Sequence, residues 1–278
     1  MSQPKVVIVT GSSHGGIGYC VAHGLKQRGY RVFATARKAE DVERLKDEGL
    51  ESVQLDLADS DSINRAVDHI LELTSGRIDV LFNNGAFGQP GAVEDLTRDL
   101  LRFQFETNLF GTQELTNRVI PVMRKQGQGR IIQNSSLLGY VTLRFRGAYN
   151  ASKFALEGLT DTMRLELQGS GIQVSLIEPG PISSRFRSNG FELYKKNIDK
   201  EQSHFKDLYE VTERRLANQG PPTPFTLPPE AVLKRVIHAI ESKRAKVRYP
   251  VTIPAYLFAW LKRILSSRRL DALLLKVE

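Results

Sequence analysis

The sequence predicts an α/β fold in which one open, doubly wound parallel sheet is covered by helices on both faces. Three observations carry this. Short runs of Val, Ile and Leu recur from residue 5 to about 180, each is followed by a longer stretch with helical spacing, and glycine or polar residues punctuate the transitions. Parallel strands buried on both faces read as unbroken apolar runs, whereas half-exposed strands alternate. With 278 residues, 41% hydrophobic and 25% charged, the chain has a globular composition and length enough for one large domain.

The first strand is KVVIV at 5–9, with a helix expected over 19–28. RVFAT at 31–35 precedes a helix over 41–47, and SVQLDL at 52–57 precedes one over 62–73. IDVLFNN at 78–84 leads to a long helix around 101–124, RIIQNSS at 130–136 to one around 151–167, and QVSLIEPG at 173–180 ends the series. Over 183–229 the rhythm stops, in a polar stretch dotted with Phe186, Phe191, Tyr194, Phe205, Leu208 and Tyr209 and ending in PPTPFTLPP. Such an insertion in a compact domain reads as a substrate loop or lid. Its aromatics either line an apolar pocket or pack on the core. A helix over 229–242 and a short strand near 247–251 complete a domain expected at 1–250. Residues 251–278 form an amphipathic basic extension, one helix or two. Its uncharged apolar run at 251–261 falls well short of the roughly 20 residues that span a bilayer.

The formal charge is +8, yet eleven Lys or Arg against three acids fall at 234–278, so residues 1–233 are neutral. A nucleic-acid footprint is therefore not expected. For 251–278, peripheral contact with anionic lipid and the capping of a core or dimer interface both fit. The single cysteine, Cys20, permits no internal disulfide and no thiolate cage, and no metal site is expected. Together with a start that lacks a secretory pattern, this points to the cytoplasm, with the membrane surface as the variant.

TGSSHGGIG at 10–18 sits between the first strand and the first helix. Gly11 and Gly16 have the outer spacing of a triphosphate loop, but Ile17 and Gly18 stand where Lys and Ser/Thr are required. What remains is a strand–loop–helix whose backbone N–H groups and helix N-terminus suit a pyrophosphate, or a connection whose glycines serve packing. The next strand ends in Ala36, Arg37 and Lys38, where a site selecting NAD would place an acid against the ribose. Arg37 suits a 2′-phosphate, hence NADP(H), or is a solvated surface arginine. In GAYNASKFALEG, Tyr149 and Lys153 lie four apart on one helix face, with Ala155, Leu159 and Met163 expected as its buried stripe. An ammonium beside a phenol favours the phenolate and makes the pair usable for proton transfer.

TGSSHGGIG, Asp56 in LDLAD, NNGA at 83–86, Asn108 in ETNLFG, Ser136 in NSSLLG, Tyr149 with Lys153, and PGPISS at 179–184 together resemble the short-chain dehydrogenase/reductases. The resemblance runs from residue 5 to about 184 and implies a Rossmann-type fold and an oxidoreductase. It implies Tyr149 as general acid/base, Lys153 on the ribose, Ser136 on the substrate carbonyl and Asn108 in a proton relay. Cofactor contacts would come from Gly11, Ser13, His14, Gly16, Ile17, Gly18, Arg37, Asp56, Leu57 and Asn84, and from Pro179, Ile182 and Ser184 beside the nicotinamide. Two departures stand out: the glycine loop is one residue longer than TGxxxGIG, and NNGA reverses the commoner Ala-Gly order. The long loop with FATAR and EPGPI is similar to NADPH-dependent reductases of lipid-like ketones, including acyl-dihydroxyacetone-phosphate reductases and the 17β-hydroxysteroid and retinol dehydrogenase branch. That similarity implies a small apolar aldehyde, ketone or alcohol as substrate and a homo-oligomer. A cofactor-sensing regulator on the same fold is the competing function, which would need no proton donor at Tyr149.

Overall fold

The computed structural model describes residues 3–217 and 224–277. Residues 218–223, within the expected lid, and position 278 of the extension lie outside the described residues. Seven parallel strands form one sheet: β1 (Val6–Val9), β2 (Arg31–Ala36), β3 (Glu51–Gln54), β4 (Val80–Asn83), β5 (Gly129–Asn134), β6 (Ile172–Glu178) and β7 (Arg248–Pro250), in the order β3-β2-β1-β4-β5-β6-β7. The order reverses between β1 and β4, and the crevice at the carboxyl ends of these two strands is where such a sheet receives a ligand. β1 shows why the strands read as unbroken apolar runs. Val7 and Val9 pack into the core on one face of the sheet, while Val6 and Ile8 pack into the core on the other.

The first face carries α1 (Ile17–Gln27), α2 (Ala39–Asp47) and α9 (Glu230–Glu241), the second α3 (Ser60–Leu73), α5 (Thr112–Gln126) and α6 (Gly147–Glu166). The single helix expected at 101–124 is instead α4 (Arg98–Phe105), a π-helical turn at Glu106–Gly111, then α5. The turn passes so close to the end of β3 that a Cβ on Gly111 would lie 1.6 Å from the Leu57 carbonyl oxygen. π turns mark a place where the regular ladder yields to a tertiary constraint. The expected stripe on α6 holds at Met163 but not at Ala155, which is half-buried, or Leu159, which is exposed. From Tyr149 on, the buried face runs through Ser152, Lys153, Leu156, Glu157, Thr160 and Met163, with Ala148 and Asn150 also buried in the first turn, a spacing of threes and fours rather than of fours alone.

The 183–229 stretch is no open loop. It carries α7 (Phe186–Asn197) and α8 (Lys206–Ala217), whose Tyr194 and Tyr209 are fully buried with Ala92, Leu96, Ala148 and Ile198. Tyr209 Oη donates to Asp95 Oδ2 at 2.5 Å and accepts from the Ala92 N–H at 2.6 Å, fastening this layer to the segment after β4. The extension is a pair of helices, α10 (Ile253–Ile264) and α11 (Ser267–Leu274). Phe258 and Leu274 are buried with Val141, and Leu137, Leu138, Tyr140 and Leu143 pack against them. No helix among the described residues is long and apolar enough to cross a membrane.

Candidate active site

Between β1 and α1 the backbone turns at Gly11 (φ +65°) and Gly15 (φ +73°). A Cβ on Gly11 would lie 2.9 Å from Gly85 Cα, and one on Gly18 would lie 2.4 Å from the Gly11 carbonyl oxygen. Both glycines are therefore fixed by close approach, with the loop pressed on the 83–86 segment. Gly16 caps α1 without a side-chain bond, so the N–H groups of the first turn, starting at Ile17, are not claimed by a cap. Of the three polar residues in the longer loop, Ser12 is buried, its Oγ donating to the Val9 carbonyl at 3.1 Å. Ser13 donates to Asp41 Oδ2 at 2.9 Å, and His14 is exposed with its ring 4.9 Å from that of Tyr19.

Arg37 stands exposed one residue beyond β2, its carbonyl accepting from Gln54 Nε2 at 3.0 Å. Asp56 Oδ1 accepts the Ala58 N–H at 2.9 Å, and Leu57 is buried with its side chain against Gly85. Asn84 is a cross-tie. Its Nδ2 donates to the carbonyls of Thr10 (3.0 Å) and Gly11 (3.1 Å), while its Oδ1 accepts from Asn134 Nδ2 at 2.9 Å.

Asn134 continues to the next group, because its carbonyl accepts Lys153 Nζ at 2.7 Å. Tyr149 lies one turn back on α6, with Lys153 Nζ 5.7 Å from its ring centre. The Ser136 hydroxyl lies close enough to act on its phenol. Ser136 Oγ also donates to the Pro179 carbonyl at 3.4 Å and accepts the Leu138 N–H at 3.1 Å. Ser136, Tyr149, Lys153 and Pro179 are thus brought together at the ends of β5 and β6. Asn108, in the π turn, is reached indirectly: its Nδ2 donates to the Phe87 carbonyl (2.9 Å) and to Ser152 Oγ (3.2 Å). Ile182 pairs with Leu227 across an isolated bridge, and Ser184 Oγ accepts the Phe186 N–H at 3.4 Å.

Of the six side chains singled out in the insertion, Phe186 reaches the site, with its ring edge-on to Tyr149 at 5.2 Å. Tyr194 and Tyr209, with Phe191 and Phe205 against them, fill the core beneath instead. Leu208 is exposed.

Burial sets the electrostatics. It pushes the Tyr149 phenol up to about 12, the Ser136 hydrogen bond pulling the other way. It pushes the Lys153 ammonium down to about 8, opposed by the Glu157 carboxylate one turn further along α6. The phenolate-favouring shift anticipated from the amine is therefore reversed in the protein on its own, and the tyrosine holds its proton. Cys20, half-buried, is pushed up to about 11 by burial and then by Glu230, and is an inert thiol.

Behind Lys153 lies a knot of charge. Arg248 on β7 binds Glu157, Glu178 and Asp161, the last at 2.6 Å. Burial and then Glu157 raise Glu178 from 4.5 to about 7, while the carboxylates raise Arg248. Arg164 is a second partner for Asp161, at 2.6 Å, which leaves the buried Glu157 and Glu178 to share Arg248, and burial raises both of these carboxyls. Among the described residues, no group of three His, Cys, Asp or Glu is placed to hold a metal.

Three contributors escaped sequence reasoning: Asn134, Glu157 and Arg185. The Arg185 side chain lies over the glycine loop, where a Cβ on Gly15 would meet its Cδ at 3.1 Å. Asn134 was within reach, standing two residues before Ser136, but Glu157 and Arg185 carry no local pattern.

A parallel sheet with a glycine loop at its switch point, and beside it a buried Tyr-Lys pair with a half-buried serine, defines a nucleotide-linked oxidoreductase. The particular family follows: residues 5–194 match the short chain dehydrogenase model, and the chain belongs to that family. It is an enzyme that acts between a CH–OH and a C=O group. It is 41% identical over 270 residues to the uncharacterized oxidoreductase YbbO of Escherichia coli, covering 97% of this chain and 94% of the relative. It is 32% identical to human retinol dehydrogenase 8 (96% and 87% covered) and 33% identical to the NADPH-dependent 1-acyldihydroxyacetone phosphate reductase of Schizosaccharomyces pombe (68% and 63%). Among solved structures, a short-chain dehydrogenase from Streptomyces avermitilis superposes with a TM-score of 0.79 at 27% identity, covering 100% of this chain and 96% of that one.

The charge knot makes a pH prediction. Glu178 has its folded-state pKa raised from 4.5 to about 7, so its contribution to stability is full below the lower value and is lost as pH rises through the upper one. Between about pH 5 and about pH 8, urea titrations should show a decline on the order of 1–3 kcal/mol that Glu178→Gln removes. An unchanged pH slope in the variant would exclude the carboxyl as its source.

Proposed function

We propose that the chain is an NADPH-dependent reductase of apolar aldehydes and ketones, lipid-, retinal- or steroid-like in character. The observation that carries this reading is the buried Tyr149 beside Ser136, with Lys153 one turn along the same helix face and the Phe186 ring against it. The residues present fit NADP(H). Gly11 and Gly18 leave no room for a side chain between the loop and its neighbours, α1 begins uncapped, and Arg37 stands exposed where an NAD site would carry an acid. Retinol dehydrogenase 8 and the acyldihydroxyacetone phosphate reductase support the apolar substrate class, and the latter's NADPH dependence supports the cofactor.

In this mechanism Gly16 to Gly18 receive the pyrophosphate on the first turn of α1. Arg37, with Ser13 and His14 beside it, holds the 2′-phosphate, a choice a lysine would make less selectively. Asp56 and Leu57 border the adenine, Asn84 shapes the cleft floor, and Pro179, Ile182 and Ser184 border the nicotinamide. The cofactor supplies the hydride. Ser136 donates a hydrogen bond to the carbonyl oxygen and Tyr149, which carries its proton at neutral pH, donates it. Lys153, anchored on Asn134, holds the ribose hydroxyls and returns a proton to the phenol. Asn108 positions Phe87 and Ser152 and stands at the inner end of that relay. The exposed apolar side chains Phe110, Phe154, Leu159 and Leu165 support a homo-oligomer.

Tyr149→Phe should lower kcat by about 10²–10⁴-fold while the dissociation constant for NADPH, read by fluorescence titration, stays nearly unchanged. Undiminished turnover would remove Tyr149 from the chemistry. For the cofactor, Arg37→Ala should weaken NADPH roughly tenfold or more relative to NADH, and equal losses would reject the 2′-phosphate role. Light scattering should return a multiple of the chain's 31.2 kDa; a monomeric mass would exclude the oligomer.

A further inference from the structure

The extension presents two faces that do different things. One face of α10 is docked: Ala255 and Phe258 are buried, and Tyr140 Oη donates to the Ala255 carbonyl at 2.6 Å. The opposite face is bare. Ile253, Tyr256, Leu257, Trp260 and Ile264, spaced at threes and fours, are exposed, Trp260 to 58%. Five large apolar side chains on one stripe of a 12-residue helix form a contiguous patch of a kind that marks a contact surface. Near it stand the exposed Arg263, Arg268, Arg269 and Lys276, with Asp271 the single acid among the described residues of the extension, while Lys262 lies on the docked side with its Nζ over the Phe154 ring.

We propose that this face seats the protein on an anionic lipid surface, with the stripe of α10 inserted at the headgroup level and the basic side chains on the phosphates. Charge decides between lipid and a second copy. An isologous dimer would set this face against itself and bring Arg263, Arg268 and Arg269 towards their own counterparts, which is repulsive. A surface rich in phosphate neutralises all of them. Apolar insertion and basic flanks together are what an interfacial helix requires. Length fits as well, since 12 residues rise about 18 Å and lie in the interface rather than cross it.

The face is also near the chemistry. α10 rides on the 137–143 segment, which begins next to Ser136. Its cap residue Thr252 packs so tightly on Gly180 that a Cβ there would lie 2.1 Å from Thr252 Oγ1. A lipid surface under α10 would thus lie about one helix diameter, roughly 10 Å, from the loops proposed to border the carbonyl and the nicotinamide, which keeps an apolar carbonyl compound dissolved in that surface close to the site. This deepens the reductase reading and rests on it for the substrate, while the lipid contact is measured independently of turnover.

The experiment is sedimentation of the full-length protein with vesicles of phosphatidylcholine alone and of phosphatidylcholine with phosphatidylserine. Binding should be roughly tenfold or more stronger to the anionic vesicles and should weaken with added salt. Leu257→Gln with Trp260→Gln and Ile264→Gln in one chain, and Arg263→Gln with Arg268→Gln and Arg269→Gln in another, should each abolish binding. Both should keep the wild-type melting temperature, because none of these side chains is buried. Wild-type protein that stays in the supernatant, or variants that bind as tightly as wild type, would overturn the proposal. So would light scattering in which the apolar triple variant halves the mass without any change in vesicle binding, since the face would then join two copies. Loss of turnover with vesicle binding intact would instead fault the reductase reading alone.

Discussion

Lys153 is 2% exposed, and its ammonium donates to the Asn134 carbonyl at 2.7 Å. A charge taken this far from water costs several kcal/mol unless other groups replace the lost hydration, so its surroundings are constrained. The Asn134 carbonyl provides one partner. The Asn134 side chain reaches Asn84, and Asn84 holds the carbonyls of Thr10 and Gly11. A single hydrogen-bonded line therefore runs from the glycine loop, across the ends of β1, β4 and β5, to the ammonium beneath Tyr149. Whatever fixes the loop also fixes Tyr149 and Lys153, which keeps the two halves of the candidate site, built on different strands, in register with each other.

The far side of the ammonium is governed by charge. Glu157 stabilises Lys153 in its protonated form, but Glu157 is itself buried and shares Arg248 with Glu178 and Asp161. Arg248 comes from β7, the last strand, and its carboxylates come from α6 and β6. The knot thus ties the edge of the sheet to the helix that carries Tyr149. Such a cluster is a poor source of net stability, since desolvation offsets most of its attraction. Its value here is placement, because moving α6 relative to β6 and β7 would strand a buried carboxylate.

Much of this was legible in the sequence, and what was not has identifiable causes. The strands were readable because both faces of the sheet are covered, so that Val6, Val7, Ile8 and Val9 are all buried regardless of direction. Tyr149 and Lys153 were readable because helix spacing alone puts them on one face. The π turn was not, since it follows from the approach of Gly111 to Leu57, residues separated by half a domain. α7 and α8 were missed because their apolar stripes are sparse. Tyr194 and Tyr209 do the work of several aliphatic residues, and a polar stretch with scattered aromatics reads as a loop until both rings are seen buried in one cluster. The charge knot was invisible for the same reason as the π turn: Glu157, Glu178 and Arg248 meet only once the sheet has formed.

The layer over the site divides its labour in a way that bears on substrate choice. Tyr194 and Tyr209 anchor α7 and α8 to the Ala92–Asp95 region through a full apolar contact and two hydrogen bonds, so the body of the insertion is part of the fold. Phe186, at the first residue of α7, remains 40% exposed although its ring touches Tyr149. An aromatic ring kept half-open beside the proton donor gains apolar burial when a hydrocarbon chain covers it and gains nothing from a polar one. On the opposite side, Leu137, Leu138 and Leu143 are held by α10 and α11. In the proposed reaction the carbonyl carbon would lie between an aromatic edge supplied by the insertion and an aliphatic loop supported by the carboxyl-terminal helices. In such a setting, differences in affinity among substrates should arise from apolar surface, while the polar contacts are confined to the one oxygen that Ser136 and Tyr149 receive.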